Sequence, residues 1–343
     1  MKIFYAVQAT GNGHISRAMQ LLPYLRRYGN VDIFLSGSNS QLNIDAPVRY
    51  RSKGLSLFYK SGGLDYWKIA STVNPVHIYD EVRDLPVEYY DVVINDFECI
   101  TSLACAYKKI PSVNFGHQAS FRSRLAPRPA KKELMGEFIL KNYARATQYL
   151  GLHFEEYDDF IFTPVIKKEV LQARPVTKKH ITVYLSSYTD EAVYKYLSPI
   201  KGFRFHVFSR QVSRPTERDN VTFVPVSDRV FTESMISSAG VITGAGFETP
   251  AEAMHLKKKL LVIPIRGQYE QLCNAAAMEK MGVTVLNKLD ETFTTAFDAW
   301  MQGNGQKEVS YGNVAPESVN YLFENYPYKG ASLDLLYPNL IFN

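Results

Sequence analysis

Two rounds of one alternation, short β-rich runs each followed by a helical pattern, restrict what this chain can become. "KIFYAVQ" is apolar and bounded by glycine, so it reads as a buried strand. Residues 14–28 then place Ile15, Met19, Leu22 and Leu25 near helical spacing. "VDIFLS" and "DVVIND" are further strands, "ITSLACAYKK" is a helix, "PSVNF" is a strand, and a Lys- and Arg-rich helical stretch covers about 130–149. Residues 164–180 are basic, hold two prolines and keep no period, as a linker would. The pattern then restarts. "ITVYLSS", "FRFHVFS" and "NVTFVPV" are strands; "DRVFTESMISSA", "TPAEAMHL" and "YEQLCNAAAMEKM" are helices; "GVITG", "KLLVIPI" and "VTVL" are the strands between and after them. Such βαβ punctuation implies parallel sheets. The expected organisation is α/β, with an amino-terminal domain over 1–163, a linker over 164–180 and a carboxyl-terminal domain over 181–343 whose tail can pack back on the first. Two facing units of this kind place a ligand in the cleft beyond the carboxyl ends of their strands.

Composition narrows the function classes. The 343 residues suit two domains, and the 46% hydrophobic content with 13% aromatics is globular. No segment reaches the roughly 18 apolar residues of a membrane span. The net charge of +5 is mild, which favours an anionic ligand or surface over nucleic acid. Cys99, Cys105 and Cys273 have neither metal spacing nor a disulfide framework, and "MKIFYAVQ" lacks the pattern of a signal peptide, so a reduced, cytoplasmic chain is expected.

The glycine turn "GNGHIS" follows the first strand. As a dinucleotide fingerprint it fails twice: the third glycine is Ser16, and no acid closes the second strand. Gly11 and Gly13 still permit a tight turn and close backbone approach. His14 projects from a helix N-terminus at the carboxyl end of a strand, where a neutral imidazole can take a proton from a hydroxyl. Asp96 ends "VVIND" in the same sheet. It can sit behind His14 and fix its tautomer, or cap the helix that follows; both readings fit its position.

The second half adds two strand-to-helix junctions. In "TGAGFETPAEA", Gly244 and Gly246 allow close approach, and the helix N-terminus offers free N–H groups to a phosphate. Thr249, Pro250 and Glu252 also spell an N-cap, a first-turn proline and a capping-box acid, so Glu252 has a structural reading beside a binding one. In "PIRGQYEQLCNA", Glu270 and Gln271 offer an acid and an amide to vicinal hydroxyls.

Together these segments resemble the donor half of the GT-B glycosyltransferases, over nearly the whole chain. The branch most similar holds the UDP-glucuronosyl-type transferases and the cell-wall N-acetylglucosaminyltransferase that acts on a lipid-linked acceptor. The resemblance implies two facing Rossmann-like domains. It places the donor phosphate and ribose along Gly244, Gly246, Phe247, Glu248, Thr249 and Glu252, with Glu252 on the ribose. It places the donor sugar on Glu270 and Gln271, followed by Asn274 and Ala275, and phosphate contacts on Ser186 and Ser187; the turn at Gly11 and Gly13 is read as a further site for the departing diphosphate. Phe223 and Pro225 fall beside the nucleobase. His14 matches the catalytic base and Asp96 its helper. His117, in "GHQ", resembles an element of the acceptor cleft, and Arg122 and Arg124 follow it. Gly244 stands where the glucuronosyl-type signature has histidine, and the amino-terminal glycine loop is shorter than the cell-wall enzyme's.

The implied function is inverting transfer from a nucleotide sugar, a UDP-sugar first of all, to an acceptor hydroxyl on a carbohydrate or lipid-linked glycan. No cofactor is implied. No D-x-D triplet occurs, so metal independence is expected, with helix dipoles stabilising the departing diphosphate. A UDP-sugar epimerase of the same architecture and a non-catalytic nucleotide- or sugar-binding module are the alternatives. Residues 119–146 mix Arg122, Arg124, Arg128, Lys131, Lys132 and Lys141 with Phe121, Leu125, Phe138, Ile139 and Leu140. That mixture fits either peripheral contact with an anionic membrane or a core-facing helix with solvated charges.

Overall fold

Strand β1 (Lys2–Gln8) is buried at every position after its first residue. A strand covered on both faces has to be apolar throughout, which is why this segment shows no alternation. The computed structural model describes residues 1–326 except 10, 38–43, 45, 55–58, 61–62 and 65–73. The remaining strands are Asn30–Ser36 (β2), Val48–Ser52 (β3), Tyr59–Lys60 (β4), Gly63–Leu64 (β5), Val92–Asp96 (β6), Val113–Gly116 (β7), Gln148–Leu152 (β8), Ile161–Phe162 (β9), His180–Tyr184 (β10), Arg204–Ser209 (β11), Thr216–Arg218 (β12), Val221–Pro225 (β13), Gly240–Thr243 (β14), Lys259–Val262 (β15) and Thr284–Val285 (β16). Among the described residues the amino-terminal sheet has seven parallel strands in the order β3-β2-β1-β6-β7-β8-β9. The carboxyl-terminal sheet runs β12-β13-β11-β10-β14-β15-β16, parallel except for the edge strand β12.

The helices that position the cleft are Asn12–Leu25 (α1), Cys99–Lys108 (α2), Leu134–Asn142 (α3), Asp228–Ser237 (α4), Glu248–His255 (α5), Tyr269–Lys280 (α6) and Ala315–Asn325 (α7). Helix α3 is much shorter than the stretch expected over 130–149, because the chain turns at once to enter β8. The segment read as a linker holds a four-residue helix, Lys168–Leu171, and then lies along the second half, where Val176 and Lys178 donate to the carbonyls of Ile236 and Ser237.

The chain crosses back near its end. Helix α7 lies on α1: the rings of Phe323 and Tyr28 stack at 3.9 Å, and Tyr28 donates to Asn320 at 2.8 Å. The Tyr326 hydroxyl accepts from Val93 N–H and donates to the Pro111 carbonyl. Residues 327–343, the rest of the tail, lie outside the described residues. The halves also meet through one continuous apolar core that runs from Ile3 and Ile15 to Ala251 and Met278.

Candidate functional site

The cleft lies where the carboxyl ends of β1 and β6 face those of β10 and β14. Gly11 enters α1 in an extended conformation with no side-chain cap, so the first turn of α1 opens on the cleft. His14 stands on that turn. Its Nδ1 lies 2.9 Å from Asp96 Oδ1 at the end of β6. Nδ1 therefore carries the proton and donates it to the carboxylate, which leaves the Nε2 lone pair as the ring's base.

Asp96 does not cap the next helix. The turn after β6 is made by Phe97, a non-glycine residue in the left-handed region (φ 54°), and by Asn95, whose side chain holds Glu98 N–H at 2.6 Å. Glu98 is the N-cap of α2, accepting from Ile100 and Thr101 at 2.9 and 2.6 Å. Asp96 is thereby free for side-chain partners. Burial raises its pKa, but the charges of Arg17 and His14 outweigh burial and hold it below the usual carboxylate range.

Arg17, which sequence reasoning missed, sits one turn after His14 on the same face of α1. Its Nη2 donates to both Asp96 oxygens at 2.7 and 3.0 Å. Nη2 also comes within 3.0 Å of His14 Nδ1, but a nitrogen that donates to Asp96 cannot accept from it. Nη1 pairs with Glu248 of α5, in the other half of the chain. The signal was available, since "HISR" is an i, i+3 spacing; what it lacked was a partner to name.

A cavity of about 80 Å³ adjoins this cluster, lined from both halves by Asn12, Gly13, Ser16, Glu248, Thr249 and Glu252, and closed by Lys167, Tyr184, Phe208, Ser227, Asp228 and Phe231. Helix α5 begins at Glu248 with Phe247 as its uncapped N-cap. Thr249 is therefore inside the helix, and the capping-box reading of Glu252 is overturned. Glu252 is 2% exposed and its Oε2 lies 3.7 Å from the Lys167 ammonium. Burial lifts its pKa to about 7; Lys167 pulls it down, and the carboxylates of Asp228 and Glu248 push it up. Lys167 donates to Asp228 at 2.6 Å. Burial works against its ammonium, but Glu252 and Asp228 outweigh it and raise its pKa. Nothing local in the basic linker marked Lys167 for this place.

The remaining candidates divide. Gly244 and Gly246 are half-buried beside the start of α5, and at Gly246 a Cβ would meet open space. Ser186 is exposed and lines an adjoining pocket of about 50 Å³ that shares Tyr184 and Phe208 with the cavity; Ser187 is half-buried next to it. Glu270 accepts from the Gln118 side chain at 3.0 Å. Gln271 spends its carbonyl on two backbone groups, Ala245 N–H at 3.2 Å and Ile265 N–H at 2.9 Å, and so fastens the two loops of the cleft to each other.

Three expectations are corrected. Phe223 is turned into the core of the second half and cannot flank a base, while the half-buried Pro225 ends the same strand; Tyr184, Phe208 and Phe231 are the aromatic rings at the cavity. Phe247 is buried and stacks on His117 at 4.0 Å, ring to ring across the two halves. His117 is therefore sealed from the cleft, with Nδ1 at 2.8 Å from the Leu152 carbonyl and Nε2 at 2.7 Å from Asn274 Oδ1; burial lowers its pKa. Arg122 lies over the Tyr149 ring, and Arg122 and Arg124 line a surface pocket with Tyr149, Phe160 and Tyr321 that shares no residue with the cavity.

Among the described residues no three His, Cys, Asp or Glu side chains group as a metal set, and no helix is long and apolar enough to cross a membrane. The arrangement can take a proton at His14 Nε2 and present helix N-termini to an anion beside it.

Comparison with known proteins gives this arrangement its setting. A family model described as glycosyl transferase family 1 matches residues 1–301. No curated protein matches the chain. Among solved structures the chain is similar to UGT89C1 of Arabidopsis thaliana complexed with UDP, with a TM-score of 0.58 and 11% identity over 94% of this chain and 98% of that one. It is similar to MurG of Acinetobacter baumannii, with a TM-score of 0.57 and 11% identity over 94% and 99%. It is also similar to Phytolacca americana UGT2 complexed with UDP-2fluoro-glucose and pterostilbene, with a TM-score of 0.58 and 14% identity over 98% and 97%. The shared architecture is the two-domain GT-B fold.

Proposed function

The chain belongs to glycosyl transferase family 1, and from that premise we propose that it is an inverting, metal-independent transferase that uses a UDP-sugar. The observation that carries the reading is the His14–Asp96 pair at 2.9 Å beside a cavity shared by both halves. His14 Nε2 takes the proton of an acceptor hydroxyl as that oxygen attacks the anomeric carbon. Asp96 stabilises the imidazolium that forms. The sugar–phosphate bond breaks on the opposite face and the anomeric configuration inverts. The diphosphate leaves toward the N-termini of α1 and α5, whose dipoles favour anions in the way a metal ion otherwise would. Glu252 faces the ribose, and Glu270 the donor sugar. Neighbours of the same fold crystallised with UDP support the nucleotide.

The acceptor is reached at an anionic membrane surface. Helix α3 leaves Leu134 87%, Met135 61% and Phe138 61% exposed, on one face, with exposed Lys131, Lys132 and Lys141 around them. Phe121 and Leu140, expected on the same face, are buried instead. Apolar side chains ringed by lysine suit an interfacial helix.

Thermal-shift screening of nucleotide sugars, followed by product analysis with candidate acceptors, tests the reading. A UDP-sugar should raise the melting temperature by mass action and be consumed only when an acceptor is present. Sugar conversion without an acceptor would refute transfer. Sedimentation with anionic vesicles should fall on Lys131/Lys132/Lys141→Gln substitution and in high salt, which screens charge over about 10 Å at 0.1 M; no sedimentation of the wild type would refute the membrane contact.

A further inference from the structure

Arg17 is buried, and its guanidinium is shared between the two halves of the enzyme. One arm grips both oxygens of Asp96 at 2.7 and 3.0 Å. The other arm pairs with Glu248. Both approaches need a missing side chain. A Cβ on Gly13 would lie 2.3 Å from Glu248 Oε2, and a Cβ on Gly116 would lie 2.5 Å from Asp96 Oδ1. The cluster is thus built around the arginine, and it exists only while the halves are together.

We propose that Arg17 is a positioning residue that locks Asp96 behind His14 and, through Glu248, ties assembly of the base to closure of the nucleotide-sugar half. The proposal rests on the reading of His14 as the base and adds two consequences. Asp96 held by a two-armed partner cannot turn away from His14 Nδ1, so the imidazole keeps the tautomer that leaves Nε2 free. Glu248 also lines the cavity in which a diphosphate would sit. Its carboxylate would repel that anion if Arg17 did not neutralise it. One residue therefore serves the base and admits the donor, and the two services can be separated by substitution.

The test uses the full chain as wild type, R17K, R17M, E248Q and R17M/E248Q. UDP affinity is read by calorimetry, turnover as kcat and KM, and domain separation by small-angle scattering. R17M should weaken UDP binding about tenfold, the size expected of an unneutralised carboxylate near a phosphate. R17M/E248Q should bind UDP more tightly than R17M, because the repelling charge is gone. Its kcat should stay down about a hundredfold, because Asp96 is still unheld. R17K keeps the charge without the fork, so it should bind UDP normally and turn over slowly. E248Q should enlarge the radius of gyration of the free enzyme. A merely structural role gives no rescue of binding by the second substitution and no split between affinity and kcat. Wild-type turnover by R17K, or double-variant binding as weak as that of R17M, would overturn the proposal. If R17M does not fold, R17K and E248Q decide it. If the wild type binds no nucleoside diphosphate, the function proposed above fails, and an E248Q radius equal to the wild type's then overturns the latch as well.

Discussion

Replacing Glu252 with glutamine should change how the stability of this protein depends on pH. Glu252 is buried in the cleft, and burial first of all, with the nearby Asp228 and Glu248 carboxylates, lifts its pKa to about 7 from an ordinary 4.5, against the pull of Lys167. The folded chain therefore holds this proton more tightly than the unfolded chain does. The stabilisation is complete below about pH 4.5 and is lost as the pH rises through about 7. The gap corresponds to about 3 kcal/mol, at 1.36 kcal/mol for each pH unit. Glutamine has the same shape and never ionises, so the variant escapes that loss. Urea melts of both proteins across pH 5 to 8.5 measure it. The stability of the wild type relative to Glu252→Gln should fall by about 2–3 kcal/mol over the range, most of it between pH 5 and 7. A difference that stays flat with pH would show that Glu252 is ionised throughout, held by Lys167, and would refute the reasoning. The binding role is tested separately: Glu252→Ala should weaken UDP in calorimetry, and unchanged affinity would take Glu252 off the ribose.

His14→Ala should lower kcat by about 10²–10⁴-fold with UDP affinity nearly unchanged, and wild-type turnover would remove His14 as the base. Gly136→Ala should destabilise by about 1–3 kcal/mol in urea, because the added methyl would lie 2.4 Å from Tyr269, where α3 meets α6; an unchanged midpoint would mean the helices part freely. His117→Ala should cost about 1–3 kcal/mol in the same assay with acceptor KM little changed, since the ring binds Leu152 and Asn274 rather than the cleft; a raised KM with intact stability would return His117 to the acceptor site. Glu98→Ala should cost about 0.5–2 kcal/mol as a lost N-cap, and the loss should appear as a lower melting temperature.

The elements that carry the cleft were legible because their signals are local. A strand buried on both faces is apolar along its length without alternation, as Ile3–Val7 of β1 and Val92–Ile94 of β6 are, and a glycine turn after such a strand leads into a helix. That reasoning reached His14 and Asp96 and the ends of the strands that bring them together. What crosses between the halves was not legible. Arg17 and Glu248 are 231 residues apart, and His117 and Asn274 are 157 apart. No periodicity records such a pairing. The N-cap of α5 falls on Phe247, despite Thr-Pro-x-Glu two residues on, because the Phe247 ring is taken by His117 across the interface and the Glu252 side chain by Lys167. Local propensity favours a cap worth about 1 kcal/mol; burying the Phe247 ring against His117 is worth more, and the chain folds to satisfy that contact first. The sequence by itself determined which strands, turns and helix ends face the cleft. Only the tertiary structure decided which of their side chains meet there, because that choice is made by contacts between segments that local sequence cannot align.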